Sequence, residues 1–130
     1  MKEPVWIREI EALAFHAQQI DLFGGMVGVR DRGLLDSALS RPKNLFAYGD
    51  GTVTLPDLAA AYAVGISSNH PFLDGNKRTA MQVSFVFLEF NGFPVNVSQE
   101  EACLIFLRLA AGEITEAELA FWFARQATNS

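Results

Sequence analysis

In the stretch Asn69-His70-Pro71-Phe72-Leu73-Asp74-Gly75-Asn76-Lys77-Arg78-Thr79-Ala80, the ten residues from His70 to Thr79 hold a base, a carboxylate, an amide and two cations. Those types together suit phosphate chemistry. Pro71 biases His70 away from the α conformation, so a helix should stop there and leave His70 at a helix-to-loop junction. Asp74-Gly75-Asn76 is turn chemistry, with Gly75 free to take φ > 0 and to let a ligand approach the backbone closely. A helix resuming at Lys77 would present unpaired amides at the positive end of its dipole, a ready anion site. Lys77 and Arg78 stand on that first turn, where the dipole disfavours cations. Their placement is locally unfavourable unless an anion sits there, and such conflicts are expected at functional positions. Phe72 reads as a core anchor whatever the function, and Asp74 could be only a helix cap.

Two apolar helices must position this run. Thr54, Pro56 and Asp57 form a helix start of cap, first-turn proline and acidic third position. The segment Leu55 to Ser68 that follows is rich enough in Ala and other apolar residues to be buried on most faces. After the run, Lys77 to Asn91 is apolar nearly all round past its first turn, and Asn91-Gly92 stops it. Around this pair, a first helix is expected from Val5 to Phe23, with Trp6, Ile10, Leu13, Ala14, Ala17 and Ile20 or Asp21 on one stripe, ended by Gly24-Gly25. His16 has no ligand-type neighbour at metal spacing and reads as a surface or packing histidine. Gly24, Gly25 and Gly28 match no nucleotide-binding glycine pattern and read as a connector. Asp31 suits the cap of a short helix from Gly33 to Leu39, which Pro42 should end, with Lys43 to Tyr48 a further turn or two. Ser98 with Glu101, and Thr115 with Glu118, are capping boxes that start helices at Gln99–Ala111 and Glu116–Gln126. Phe93 to Val97 reads as a connector. With no repeat, linker or sheet-like alternation, the expectation is an all-α, compact single-domain bundle of about six helices spanning residues 1–130, with the motif loop between its two central helices.

Composition narrows the function. At 130 residues with 50% apolar and 19% charged residues, the composition argues against disorder. A net charge of -5 and a pI near 4.9 argue against broad binding to nucleic acid or anionic membranes, so any phosphate site must be local. Neither a signal peptide nor a membrane span is expected. The single Cys103 rules out an intrachain disulfide framework and fits a cytoplasmic location; in its apolar surroundings it reads as a small buried hydrophobe.

The central run resembles the signature of the Fic/Doc superfamily, HPFx(D/E)GNGRxxR, and within it the Doc branch of toxin-antitoxin toxins. His70, Pro71, Phe72, Asp74, Gly75 and Asn76 match, the second glycine is replaced by Lys77, Arg78 and Thr79 match a common continuation, and the final arginine position is Met81. Lysine after asparagine is the Doc-type form. The likeness extends to Gly24-Gly25, to Val29 through Leu39, to Arg41-Pro42 and to Ala111-Gly112-Glu113.

That resemblance implies the small all-α Fic/Doc fold and the transfer of a phosphate-containing group from a nucleotide to a protein hydroxyl. His70 would be the general base, Asp74 would hold Mg²⁺, Gly75 and Asn76 would cradle phosphate, and Lys77 and Arg78 would bind phosphate and neutralise charge on the transferred group. The bulky cation at 77 and the missing one at 81 favour the Doc-like outcome, in which the γ-phosphate of ATP or another nucleoside triphosphate moves to a Ser or Thr hydroxyl. In that branch the target is elongation factor Tu and the effect translation arrest. AMP transfer, and a non-catalytic relic that only binds an antitoxin, are the alternatives. No (S/T)xxxE(G/N) inhibitory string occurs in the chain, so an antitoxin would supply the inhibitory helix in trans, with no direct nucleic-acid or membrane partner.

Overall fold

The structure is a computed structural model that describes residues 1–126; residues 127–130, which the expected domain includes, lie outside the described residues. It is all-α, as expected: α1 (Glu9–Phe23), α2 (Arg32–Tyr48), α3 (Leu55–Asn69), α4 (Asn76–Phe90), α5 (Gln99–Ala110) and α6 (Glu116–Arg125). The helix starts follow local capping. Asp31 accepts from Leu34 N–H, Thr54 from Asp57 N–H, Ser98 from Glu101 N–H and Thr115 from Glu118 N–H, each satisfying an amide with no partner inside its helix.

The Ala-rich α3 is the central element. It packs on α2, α4, α5 and α6, while α1 and α5 flank α4. Leu58, Ala59, Ala60, Tyr62, Ala63 and Ile66 of α3 meet Ala80, Val83, Phe87 and Leu88 of α4 in one core. Gly65 lets α2 and α3 approach closely, since a Cβ there would lie 3.1 Å from Ala38 Cα. Among the described residues no helix is long and apolar enough to cross a membrane.

Four expectations are corrected. The α1 helix begins at Glu9 rather than Val5, because side chains of α3 and of the residue that ends α4 satisfy the preceding backbone: Ile7 N–H donates to Tyr62 Oη at 2.9 Å, and the Asn91 amide accepts from Val5 N–H and donates to Val5 O. Its buried stripe is Ala12, His16 and Ile20, while Ile10 points to solvent. Pro42 lies buried inside α2 and does not end it; packing against α3 outweighs the loss of one helical hydrogen bond. Cys103 is exposed, because α5 buries the stripe of Ala102 and Phe106 and leaves the neighbouring face to solvent.

Burial pushes the Tyr62 phenol up to about 12. An unfolded tyrosine ionises near pH 10, so between those values the unfolded chain sheds a proton that the folded chain keeps, and stability falls across that window. Tyr62→Phe is expected to remove this alkaline loss and, at neutral pH, to cost about 1–3 kcal/mol by leaving the Ile7 amide unpaired. Urea denaturation at pH 7 and pH 11 measures both effects.

Candidate active site

The loop joining α3 to α4 opens on His70, the C-cap of α3, in a left-handed conformation at φ 49° and ψ 56°. It is the only non-glycine residue with positive φ among the described residues. A non-glycine residue there is strained and persists only when its surroundings over-determine it. Here they do. His70 N–H donates to Ile66 O at 3.2 Å, and the Arg30 guanidinium donates from Nε to His70 O at 2.7 Å and from Nη2 to Asn69 O at 2.8 Å. A cation on the last carbonyls of α3 also opposes the negative end of its dipole. The Arg30 and Asp31 amides both donate to Pro71 O, Leu73 N–H donates to Gly28 O, and Val29 forms an isolated antiparallel bridge with Phe72.

The segment 24–31 is therefore more than a connector, since it clamps the motif loop. Met26 N–H donates to Asp74 Oδ2 at 2.8 Å, and Gly25 stands so close that a Cβ would lie 3.1 Å from Asp74 Cβ. Asp74 is thus no helix cap. Its carboxylate is aimed by the α1–α2 loop and remains exposed. Phe72 is buried, as expected, and it anchors the loop together with Asn76. The Asn76 side chain accepts from Phe72 N–H and donates to Phe72 O, each at 3.0 Å, closing the turn on itself.

Gly75, at φ 75°, is the N-cap of α4 and offers no side chain to cap it. The first-turn amides are left facing whatever occupies the site. No acidic residue stands in that turn, and among the described residues no carboxylate forms an ion pair with Lys77 or Arg78. The Arg78 guanidinium lies 4.5 Å from the centre of the Phe23 ring at the end of α1, which holds it by a cation–π contact. His70, Asp74, Gly75, Asn76, Lys77 and Arg78, every site residue expected from the sequence, line one open concavity of about 350 Å³ with Leu73. Lys77 and Arg78 also border a groove of about 240 Å³ against α5, with Met81, Cys103 and Phe106.

Among the described residues no three His, Cys, Asp or Glu side chains converge as a metal cage. A single exposed carboxylate beside a helix start with no side-chain cap is what Mg²⁺ accepts when phosphate oxygens and waters complete its shell. Asp74 fits that demand. In the sequence Gly25 reads as part of a connector, Arg30 and Met26 carry no visible role in the site, and His16 reads as a surface or packing histidine. The signal for His16 was its place at four-residue steps between Ala12 and Ile20, which makes it the polar member of the buried stripe.

Arg30→Ala is expected to free the His70 carbonyl and lower the site's activity by about 10- to 100-fold, the scale of an ångström-level misplacement. Arg30→Lys, with one donor group in place of a fork, should recover part of it. Steady-state rates for the three proteins test the ordering.

The sequence model of the Fic/DOC family matches residues 6–88. The chain is 46% identical over 70 residues to "Toxin Doc" of Mycolicibacterium smegmatis, an alignment covering 54% of each protein, so it spans about half the length of that relative. It is 36% identical over 110 residues to "Protein kinase doc" of Escherichia phage P1, covering 85% of this chain and 86% of the other.

Proposed function

Since the chain belongs to the Fic/DOC family, we propose that it is a Doc-like toxin, a protein kinase that moves the γ-phosphate of ATP or another nucleoside triphosphate to a Ser or Thr hydroxyl of a protein target. The observation that carries this reading over AMP transfer is the pair Lys77 and Met81. They border one groove on the first turns of α4, with a bulky cation where an AMP transferase has its second glycine and no cation where it has its final arginine.

The chemistry runs through the chain's own groups. His70, fixed at the rim of the concavity, takes the proton from the target hydroxyl as that oxygen bonds to the γ-phosphorus. The bond to the β,γ-bridging oxygen breaks and ADP leaves. Lys77, Arg78 and the open amides of α4 offset charge on the transferred group, the largest contribution in phosphoryl transfer. Mg²⁺ on Asp74 would supply further neutralisation and orient the phosphates. The exposed apolar residues Phe23, Met26 and Leu73 stand beside the site and suit a protein rather than a small hydroxyl compound.

By family likeness the target is elongation factor Tu and the consequence translation arrest in the cytoplasm. An antitoxin would hold the toxin off by supplying an inhibitory helix in trans. Incubating the protein and Mg²⁺ with elongation factor Tu, or with whole lysate, and ATP labelled at the α- or the γ-phosphate tests the reaction. Label moving only from the γ position is the expected result. Transfer from the α position would make the protein an AMP transferase, and transfer from neither a partner-binding relic.

A further inference from the structure

His16 has no part in the reaction just described, yet it is 3% exposed and sits beneath the loop assigned to that reaction. Its ring lies flat against Phe72, with centroids 3.9 Å apart and planes 7° from parallel. Its Nε2 is 2.8 Å from the carbonyl oxygen of Asp74. A carbonyl oxygen only accepts, so Nε2 carries the proton and donates. We propose that His16 is a positioning residue, which holds the Asp74 carbonyl inward and thereby turns the Gly75 N–H outward as a donor to the phosphate being bound. This inference rests on the phosphate-transfer reading and deepens it.

The step from carbonyl to amide is covalent geometry. In a planar trans peptide the C=O and the following N–H point in opposite directions, and no peptide among the described residues is cis. With the Asp74 oxygen pulled toward the core, the Gly75 N–H faces away from it, and Gly75 lines the concavity. Among the described residues no acceptor takes that N–H. The inward side is filled: a Cβ on Gly75 would lie 3.2 Å from Ile20 Cδ1 and 3.8 Å from His16 Nε2. Glycine itself adopts either sign of φ readily, so without the imidazole this peptide could turn over and withdraw its N–H. Removing one preorganised donor to developing charge costs about 100- to 1,000-fold in rate where it has been measured.

Wild type, His16→Phe and His16→Gln make the test. Phenylalanine keeps the ring against Phe72 and removes the donor, whereas glutamine places an amide N–H at similar reach. The readouts are the Gly75 amide signal of ¹⁵N-labelled protein, titrated with Mg²⁺–ATP and separately with inorganic phosphate, and kcat/KM for γ-phosphate transfer. Wild type and His16→Gln should show the Gly75 amide responding to both anions. His16→Phe should lose that response and about 100-fold in kcat/KM, with an unchanged helical circular-dichroism spectrum. A wild-type Gly75 response in His16→Phe overturns the proposal, and so does equal loss in both variants, which would mark a packing role. Should His16→Phe fail to fold, loss of the response in folded His16→Gln also overturns it. If wild type transfers no phosphate while its Gly75 response still depends on His16, the kinase reading fails and the positioning role stands.

Discussion

Replacing His70 by alanine is expected to lower phosphate transfer by about 10²–10⁴-fold, the range contributed by a positioned general base, with the fold retained. The fold should survive because His70 is exposed and its contacts with the bundle run through its backbone: N–H to Ile66, C=O to Arg30. Alanine keeps all of them. Nucleotide affinity should change little if the phosphates are held, as proposed, by the amides and cations on the first turn of α4. A kinetic profile with kcat lost and nucleotide binding kept therefore separates a base from a binding residue. Transfer that survives in this variant would remove His70 from the base role, while a lost melting transition would show that the left-handed junction needs the imidazole for folding. Thermal melting and single-turnover transfer on the same preparation distinguish the two.

Asp74→Asn should be nearly as damaging, by about 10²–10³-fold, because a metal's charge stabilisation of a transition state amounts to several kcal/mol. Asparagine retains an oxygen to accept from Met26 N–H, so the clamp from the α1–α2 loop stays in place and only the negative charge is lost. Asp74→Ala removes charge and clamp together and is expected to do worse. If Asp74 holds Mg²⁺, the Asn variant should need far more Mg²⁺ for half-maximal transfer, and chelation of the ion should silence wild type. An Asn variant with the wild-type Mg²⁺ requirement would mean that Asp74 serves only to dock the loop.

Several features were legible in the sequence because their causes are local. A cap and the amide that it satisfies are three residues apart, so Asp31, Thr54, Ser98 and Thr115 marked helix starts that the structure reproduces. The apolar character of Leu55–Ser68 and Lys77–Asn91 marked the two central helices. The crowding of His70, Asp74, Gly75, Asn76, Lys77 and Arg78 into one run marked the candidate site, residues that do line one concavity, because a helix-to-helix loop brings such near neighbours together whatever the rest of the chain does.

What lay beyond the sequence depends on contacts between distant segments. Whether Pro42 breaks α2, where α1 begins, and which face of α5 reaches solvent are decided by what packs against each helix, and no window of local sequence contains that neighbour. The same holds for the supports of the site. Arg30 lies 40 residues from His70, Met26 lies 48 from Asp74, and His16 lies 58 from the carbonyl it holds. By itself the sequence determined which chemical groups the loop carries and the helices that flank it. Only the tertiary structure decided how those groups are aimed, because the hydrogen bonds that fix a backbone carbonyl, a left-handed junction and a carboxylate come from segments that meet the loop only once the chain has folded.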